Sequence, residues 1–284
     1  MAGRYRDGTE REPCYGGDVD DATLAALEHD NLIRADMLAA GQVPGAVVRR
    51  SDGLAVFATG LPLRLFNQIV IDDERPLATG AIDVAVTELR TRGDRFALNL
   101  RIRLDDEHVA TAQRLGLQPL SEAPWFPGMA LHPLSVDGST HGQAPREIDI
   151  HPVIDAGGVA DHRAAAASGF DMPVDWIEAV ITVDLAGDPD TTVYCGYVDG
   201  EPVVAGMGIR SGRVIGVYNI ATVATARGRG YGAAMTRRII DDGAALGCDT
   251  ATLQASDMGR PIYERLGFRT VVEYAGYVDP TATT

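Results

Sequence analysis

The residues most suggestive of chemistry lie at 226–233, Ala-Arg-Gly-Arg-Gly-Tyr-Gly-Ala, between a β-rich stretch and an amphipathic one. Gly228, Gly230 and Gly232 at alternate positions leave the backbone uncovered as it turns into a helix. The helix N-terminus aims orphan N–H groups and a positive dipole end at the same place. Such a turn can hold a pyrophosphate. Local charge agrees: residues 147–226 carry 12 acids against 3 arginines, a balance of −9, whereas residues 227–238 carry Arg227, Arg229, Arg237, Arg238 and no acid. A cation cluster in so acidic a half calls for an anion. The spacing Gly228-x-Gly230-x-x-Ala233 also fits a dinucleotide fingerprint, but the context disagrees. That fingerprint needs an acid at the end of the next strand to hold a ribose. Here Asp249 precedes that strand and Asp257 follows it, and several antiparallel strands come before the turn instead of one.

Composition removes other chemistry. The chain of 284 residues has no lysine, so all 25 of its cations are arginines, set against 40 acids for a net charge of −15. Without an ε-amino group it can form no Schiff base and supply no P-loop lysine. The acidic balance argues against nucleic acid, whose phosphates require a basic stripe. No apolar run approaches the roughly 20 residues that span a bilayer, and residues 1–13 lack the apolar core of a secretory signal. We therefore expect a cytoplasmic protein with no membrane partner. Cys14, Cys195 and Cys248 are too few and too scattered for a disulfide framework or a metal site.

The elements that position the turn can be read from spacing. Residues 1–17 read as a loose tail. Asp20 and Asp21 can cap a helix with apolar positions Leu24, Leu27, Leu32 and Ile33, ending near Gly41. Strands follow at 47–48, 54–59 and 69–71, then a helix at 81–89, a strand at 96–104 and a helix from Asp105 through Arg114. Residues 136–146, poor in apolar side chains, read as a linker between halves 18–135 and 147–284. Beyond it come a strand at 148–154, helical stretches at 159–167 and 176–181, and strands at 193–198 and 202–209 joined by the hairpin dipeptide Asp199-Gly200. A strand at 214–223 enters the glycine turn; a helix at 233–246, a strand at 250–255, a helix at 260–266 and a strand at 269–278 complete the chain. An echo links the halves: Arg114-Leu-Gly-Leu-Gln-x-x-x-Glu122 recurs as Arg265-Leu-Gly-Phe-Arg-x-x-x-Glu273. Each copy ends a helix with glycine and re-enters a strand, a pattern of duplication or of a shared helix C-cap.

The glycine turn and Tyr263-Glu-Arg-Leu-Gly-Phe268 together resemble the GCN5-related N-acetyltransferase (GNAT) family. Its coenzyme A motif is Arg or Gln, two residues, Gly, one residue, then Gly or Ala, filled here by Arg227, Gly230 and Gly232. Ile220, Ala221 and Thr222 stand where the family pairs strand backbone with the pantetheine arm. The resemblance covers roughly residues 147–284. It implies an α/β fold with a mixed, largely antiparallel central sheet flanked by helices, in two tandem GNAT-like domains of which the first is degenerate. It further implies an acetyl-coenzyme A-dependent N-acetyltransferase, with the cofactor held by residues 220–222, Arg227, Gly228, Arg229, Gly230, Tyr231, Gly232 and Ala233, no metal, and attack of an amine on the thioester.

In that setting Tyr263 is the expected general acid. A phenol's ordinary pKa of about 10 exceeds the roughly 8.5 of a thiol, so it still carries a proton to offer when the thiolate departs; a buried tyrosine whose hydroxyl finds a partner is the plain alternative. Ser256 matches a family position that touches the pantetheine arm, or it ends the strand. The base stays open. The strand before the turn has no acid, only Tyr218 and Asn219 as polar residues, and all six histidines precede it. A water chain, Tyr274, Tyr277 or a carboxylate from the other half could serve. The first half has Ala112 opposite Tyr263 and a single glycine at 75–81, so we expect it to shape an acceptor pocket for a small-molecule or protein amine, with Trp125, Phe126 and Met129 as candidate lining or core. The chain is expected as a monomer or homodimer. A non-catalytic coenzyme A sensor is the alternative function.

Overall fold

The computed structural model describes residues 19–120, 126–134 and 145–280. The expected loose tail and Trp125 lie outside the described residues, as does most of the 136–146 linker. Helix α1 (Asp21–Ala40) starts where Asp20, extended, accepts the N–H of Thr23 at 2.8 Å, as its capping residue type dictates. Strands β1 (Val47–Ser51), β2 (Leu54–Ala58) and β3 (Asn67–Ile71), helix α2 (Ala81–Arg92), β4 (Ala97–Arg101), helix α3 (Val109–Arg114), β5 (Gln118–Pro119) and β6 (Phe126–Leu131) follow. The second half runs β7 (Asp149–Pro152), α4 (Ala156–Phe170), α5 (Val174–Val180), α6 (Val183–Ala186), β8 (Thr191–Val198), β9 (Glu201–Ser211) and β10 (Val214–Thr222). It ends with α7 (Tyr231–Ala245), β11 (Thr250–Gln254), α8 (Arg260–Arg265) and β12 (Arg269–Val278). The strand expected over 96–104 stops at Arg101. Arg101 donates its backbone N–H to Asp105 at 2.8 Å and Arg103 takes a left-handed φ of +72°, which turns the chain early.

The strands form one sheet in the order β1-β2-β3-β4-β12-β6-β11-β10-β9-β8-β7, with β5 beside β12. Pairing is antiparallel except at β3–β4 and β10–β11, the two pairs joined by a crossover helix. The mixed, largely antiparallel sheet expected from sequence is therefore present. The run β2-β3-α2-β4-α3-β6 is repeated by β9-β10-α7-β11-α8-β12. Both short helices end at a left-handed glycine, Gly116 at φ +76° and Gly267 at φ +94°, so the echo in sequence marks the same backbone event twice.

The two repeats exchange their last strands. β12 pairs antiparallel with β4, Tyr274 opposite Arg101 and Val278 opposite Ala97, and so completes the first half's sheet. β6 pairs with β11, Ala251 opposite Leu131 and Gln254 opposite Gly128, and completes the second. The cores are exchanged with them: Met129 packs with Ile215, Met235 and Leu253, whereas Ala275 and Tyr277 pack with Ile69, Leu89 and Leu98. Alternation sorts the faces. On β2, Leu54, Val56 and Ala58 meet α2 while Ala55 and Phe57 meet α1. In the second half Val204 joins the α7 core, and Ala205 and Met207 join the α4 and α5 core, which also takes Ala35 of α1. Helices α1 and α4 thus share one face of the sheet.

Candidate functional site

At the glycine turn the backbone does what the glycines permit. Gly228 and Gly230 take φ of +78° and +84°, a region costly for other L-residues, and Gly230 caps α7. A Cβ at Gly228 would meet nothing within 4 Å, and one at Gly230 only Pro145 Cγ at 3.6 Å, so the turn is open on its outer side. The helix expected from 233 begins at Tyr231. Gly232 and Ala233 therefore lie in its first turn, where N–H groups lack intrahelical partners. The side chain of Tyr231 is core, 1% exposed, with its hydroxyl donating to Glu147 at 3.2 Å, so only its backbone belongs to the turn. The arginines divide. Arg227 donates to the carbonyls of Gly169 at 2.7 Å and Thr222 at 3.3 Å, pinning the turn to the ends of α4 and β10. Arg238 pairs with Asp242 at 2.9 Å. Arg229 is exposed and Arg237 keeps a buried Nε without a partner; among the described residues neither forms an ion pair.

A slot opens beside the turn. β10 and β11 pair only from Val214–Thr250 to Gly216–Thr252, yet they run on to Thr222 and Gln254, so they part beyond Gly216. On its other side β10 bulges against β9. Tyr218 faces Met207 and Ala221 faces Ala205, which leaves Asn219 and Ile220 outside the register. Asn219 carries the bend at φ +57°, a conformation asparagine tolerates better than most residues. Its side chain donates to His162 Nε2 at 2.7 Å, while His162 Nδ1 donates to the Tyr194 carbonyl at 2.8 Å. Burial lowers the His162 pKa to about 4, so the ring is neutral and can accept from Asn219. Ile220 borders the slot, Ala221 packs among the α4 core residues, and the Thr222 carbonyl receives Arg227.

The slot widens into a cavity of about 420 Å³ between the halves. Tyr263 lines it at 9% exposure, its ring edge-on to Phe268 at 6.0 Å; among the described residues its hydroxyl has no hydrogen-bond partner. Burial pushes this phenol up to about 12. Gly259 makes the placement possible, since a Cβ there would lie 2.8 Å from the Tyr263 ring. Ser256 also borders the cavity, and its hydroxyl accepts the Gly259 N–H at 3.2 Å, so it ends β11 and starts the α8 turn as well. Phe126 lines the cavity, whereas Met129 is fully buried core.

The open question of the base narrows here. Tyr274 is fully buried with its hydroxyl donating to Glu28 at 2.7 Å, and Tyr277 sits in the first half's core; neither lines the cavity. A carboxylate of the other half does line it. Asp36 on α1 has Oδ2 sealed from solvent without a partner, and its pKa is raised to about 8, first by burial and then by the charge of Glu28. Glu28 itself, raised to about 7 by burial, accepts Gln254 Nε2 at 2.5 Å. Sequence reading missed both acids. The available signal was Glu28, Leu32 and Asp36 at i, i+4 and i+8, two carboxylates on the apolar stripe of α1. Chain order also misled: His162 precedes β10 by more than 50 residues yet fixes its bulge.

Among its described residues the first half has no such site. Where the second has its glycine turn, the segment after β3 presents Asp72, bound by Arg50 at 2.9 Å, and Asp73, bound by Arg101 at 2.8 Å. Both carboxyls are held below their usual range, and the residue opposite Tyr263, Ala112, is core. Carboxylates there would repel a pyrophosphate. Among the described residues no group of His, Cys, Asp or Glu is arranged to hold a metal ion, and no helix is long and apolar enough to cross a membrane.

Comparison with known proteins agrees with this geometry. Residues 163–268 match the family model "Acetyltransferase (GNAT) family". No curated protein matches the chain. Among solved structures, a GCN5-related N-acetyltransferase from Kribbella flavida superposes with a TM-score of 0.64 at 17% identity, over 89% of this chain and 95% of that one. A GCN5-related N-acetyltransferase from Sphaerobacter thermophilus gives 0.56 at 16% identity, over 92% and 93%. A tandem GNAT protein from the clavulanic acid biosynthesis pathway, solved without AcCoA, gives 0.57 at 12% identity over 91% and 95%. Residues 163–268 are thus a domain of the acetyltransferase (GNAT) family, and the chain as a whole shares the fold of these solved structures, a tandem GNAT protein among them.

Proposed function

We propose that this chain moves an acetyl group from acetyl-coenzyme A to an amine, in one active site per chain. The observation that supports this reading most is the slot where β10 and β11 part, with an open left-handed glycine turn at the end of β10 and the Tyr263 hydroxyl, unpartnered among the described residues, along the other wall. The residues present fit the cofactor. Backbone N–H groups of 228–233, the positive end of α7 and Arg229 would receive its pyrophosphate, and the edge of β10 at 220–222 its pantetheine arm. Bound acetyl-coenzyme A would supply an activated acetyl group as a thioester.

The protein's own residues then have three tasks. The backbone at Asn219 and Ile220, freed from the ladder by the bulge, offers N–H groups to the oxygen that gains charge as the amine attacks. His162 and Asn219 hold that backbone in place. Tyr263, whose phenol burial holds near 12, carries its proton at neutral pH and can give it to the sulfur as the C–S bond breaks, the proton lost by the attacking amine then restoring the phenol. The acceptor would reach this centre through the cavity shared with α1. In this reading the protein works in the cytoplasm on a small-molecule amine and needs no partner beyond, at most, a second copy of itself.

Thiol release from acetyl-coenzyme A across an amine panel tests the proposal. Turnover well above background is expected. Cofactor binding with release stuck at background would make the chain a coenzyme A sensor instead.

A further inference from the structure

The shared cavity carries more chemistry than the transfer reaction requires. Among the residues lining its 420 Å³, within the range of small-molecule sites, Asp36 carries the one carboxyl, and no arginine or histidine joins it. The walls around it are largely apolar: Leu32 and Ala39 of α1, Phe57 and Phe66 of the first half, Phe170 and Ile177 of the second. An unpaired carboxyl in such a place is costly, and a buried polar atom without a partner demands an explanation. Among the described residues no arginine supplies one. Arg34 is engaged by Asp190 at 2.6 Å, and Arg50 by Asp30 and Asp72 at 2.8 and 2.9 Å. The neighbouring acid, Glu28, faces Gln254 and Tyr274 and only adds like charge.

From these observations, and resting on the acetyltransfer reading above, we infer that Asp36 is the acceptor-binding residue and that the acceptor is a small monoamine with an apolar body. One carboxyl matches one amine, since an amine that enters neutral can take the carboxyl's proton and form a single buried ion pair, and apolar walls match an aliphatic or aromatic remainder. A polyamine or aminoglycoside would bury further cations with nothing to meet them. The acid comes from the half that lacks a cofactor turn, which gives that half a direct role in acceptor choice.

The test uses the full chain and two readouts. Phenethylamine and cyclohexylmethylamine should raise the melting temperature of the wild-type protein without any cofactor, and spermidine should not. Asp36→Asn should abolish that shift. It should also lower kcat/KM for the monoamine about 10- to 100-fold, through KM more than kcat, with coenzyme A affinity unchanged; this is the loss expected for one charge-assisted hydrogen bond. Ala39→Trp, which fills the cavity and leaves the carboxyl in place, should abolish the amine shift and spare coenzyme A binding. Spermidine or a lysine peptide as the better acceptor, or an unchanged amine shift in Asp36→Asn, would overturn the inference. If the amine shift follows Asp36 but no thiol is ever released, the binding site stands and the transfer reading falls.

Discussion

Tyr263 is placed to carry a proton at neutral pH beside the point where a leaving group would gain charge. Burial alone raises its phenol to about 12, and no described partner stabilises the phenolate. Tyr263→Phe keeps the ring and its contact with Phe268, so the fold and cofactor affinity should persist. Steady-state kcat should fall about 100-fold or more, the usual contribution of a general acid; an unchanged kcat would remove Tyr263 from that role. The acids of α1 make a separate prediction about stability. The folded protein holds the carboxyls of Glu28 and Asp36 at about 7 and 8, far above their ordinary values of 4.5 and 3.8. The folded state therefore binds protons that the unfolded chain has released, and stability must fall as pH rises from about 4 to about 8. Asp36→Asn removes one of these groups. Its melting temperature should decline less steeply over that range and exceed the wild type's at pH 9 by a few degrees, whereas parallel curves for the two proteins would rule this out.

At the scale of elements, the slot depends on how closely α4 approaches β10. A Cβ on Gly169 would lie 2.8 Å from Ala221 Cβ and 3.0 Å from the backbone of Ala221 and Thr222, and the Gly169 carbonyl is where Arg227 anchors the glycine turn. Gly169→Ala must push the helix end outward. We expect a cost of about 1–3 kcal/mol in thermal or denaturant unfolding and weaker coenzyme A binding by calorimetry; stability lost with binding intact would uncouple the helix from the turn. Much of this was legible in sequence. Alternating apolar residues located β8 to β10, the glycines located the turn, and Tyr263 was found by its neighbours Leu266, Gly267 and Phe268. The acids of α1 were not, because its apolar stripe was read through Leu24, Leu32 and Ile33 and not through the charges interleaved with them. His162 escaped because distance along the chain was taken for distance in space.

The whole molecule is less divisible than its repeat implies. Both halves place a helix, a left-handed glycine and a strand in the same order, yet each strand completes the other half's sheet, β12 against β4 and β6 against β11. No local signal reveals this exchange, since β6 and β12 would satisfy the same alternation in either sheet; the choice rests on side chains far apart in sequence, such as Met129 beside Leu253 and Tyr277 beside Leu98. The exchange sets what can fold alone. A fragment of residues 19–134 carries a strand that belongs to its partner and lacks β12, leaving the edge of β4 unpaired and Leu98 without its cover. A fragment of 145–280 lacks β6 in the same way. Each, expressed alone, should show no cooperative unfolding transition, while the two co-expressed should co-purify and melt as one unit. Because only the second fragment contributes the glycine turn, the reassembled pair should bind one coenzyme A, as the intact chain should. A cooperative melt from the isolated second fragment would show that the exchanged strand is dispensable, and two sites of similar affinity would show that the first half has kept a working cradle despite Asp72 and Asp73.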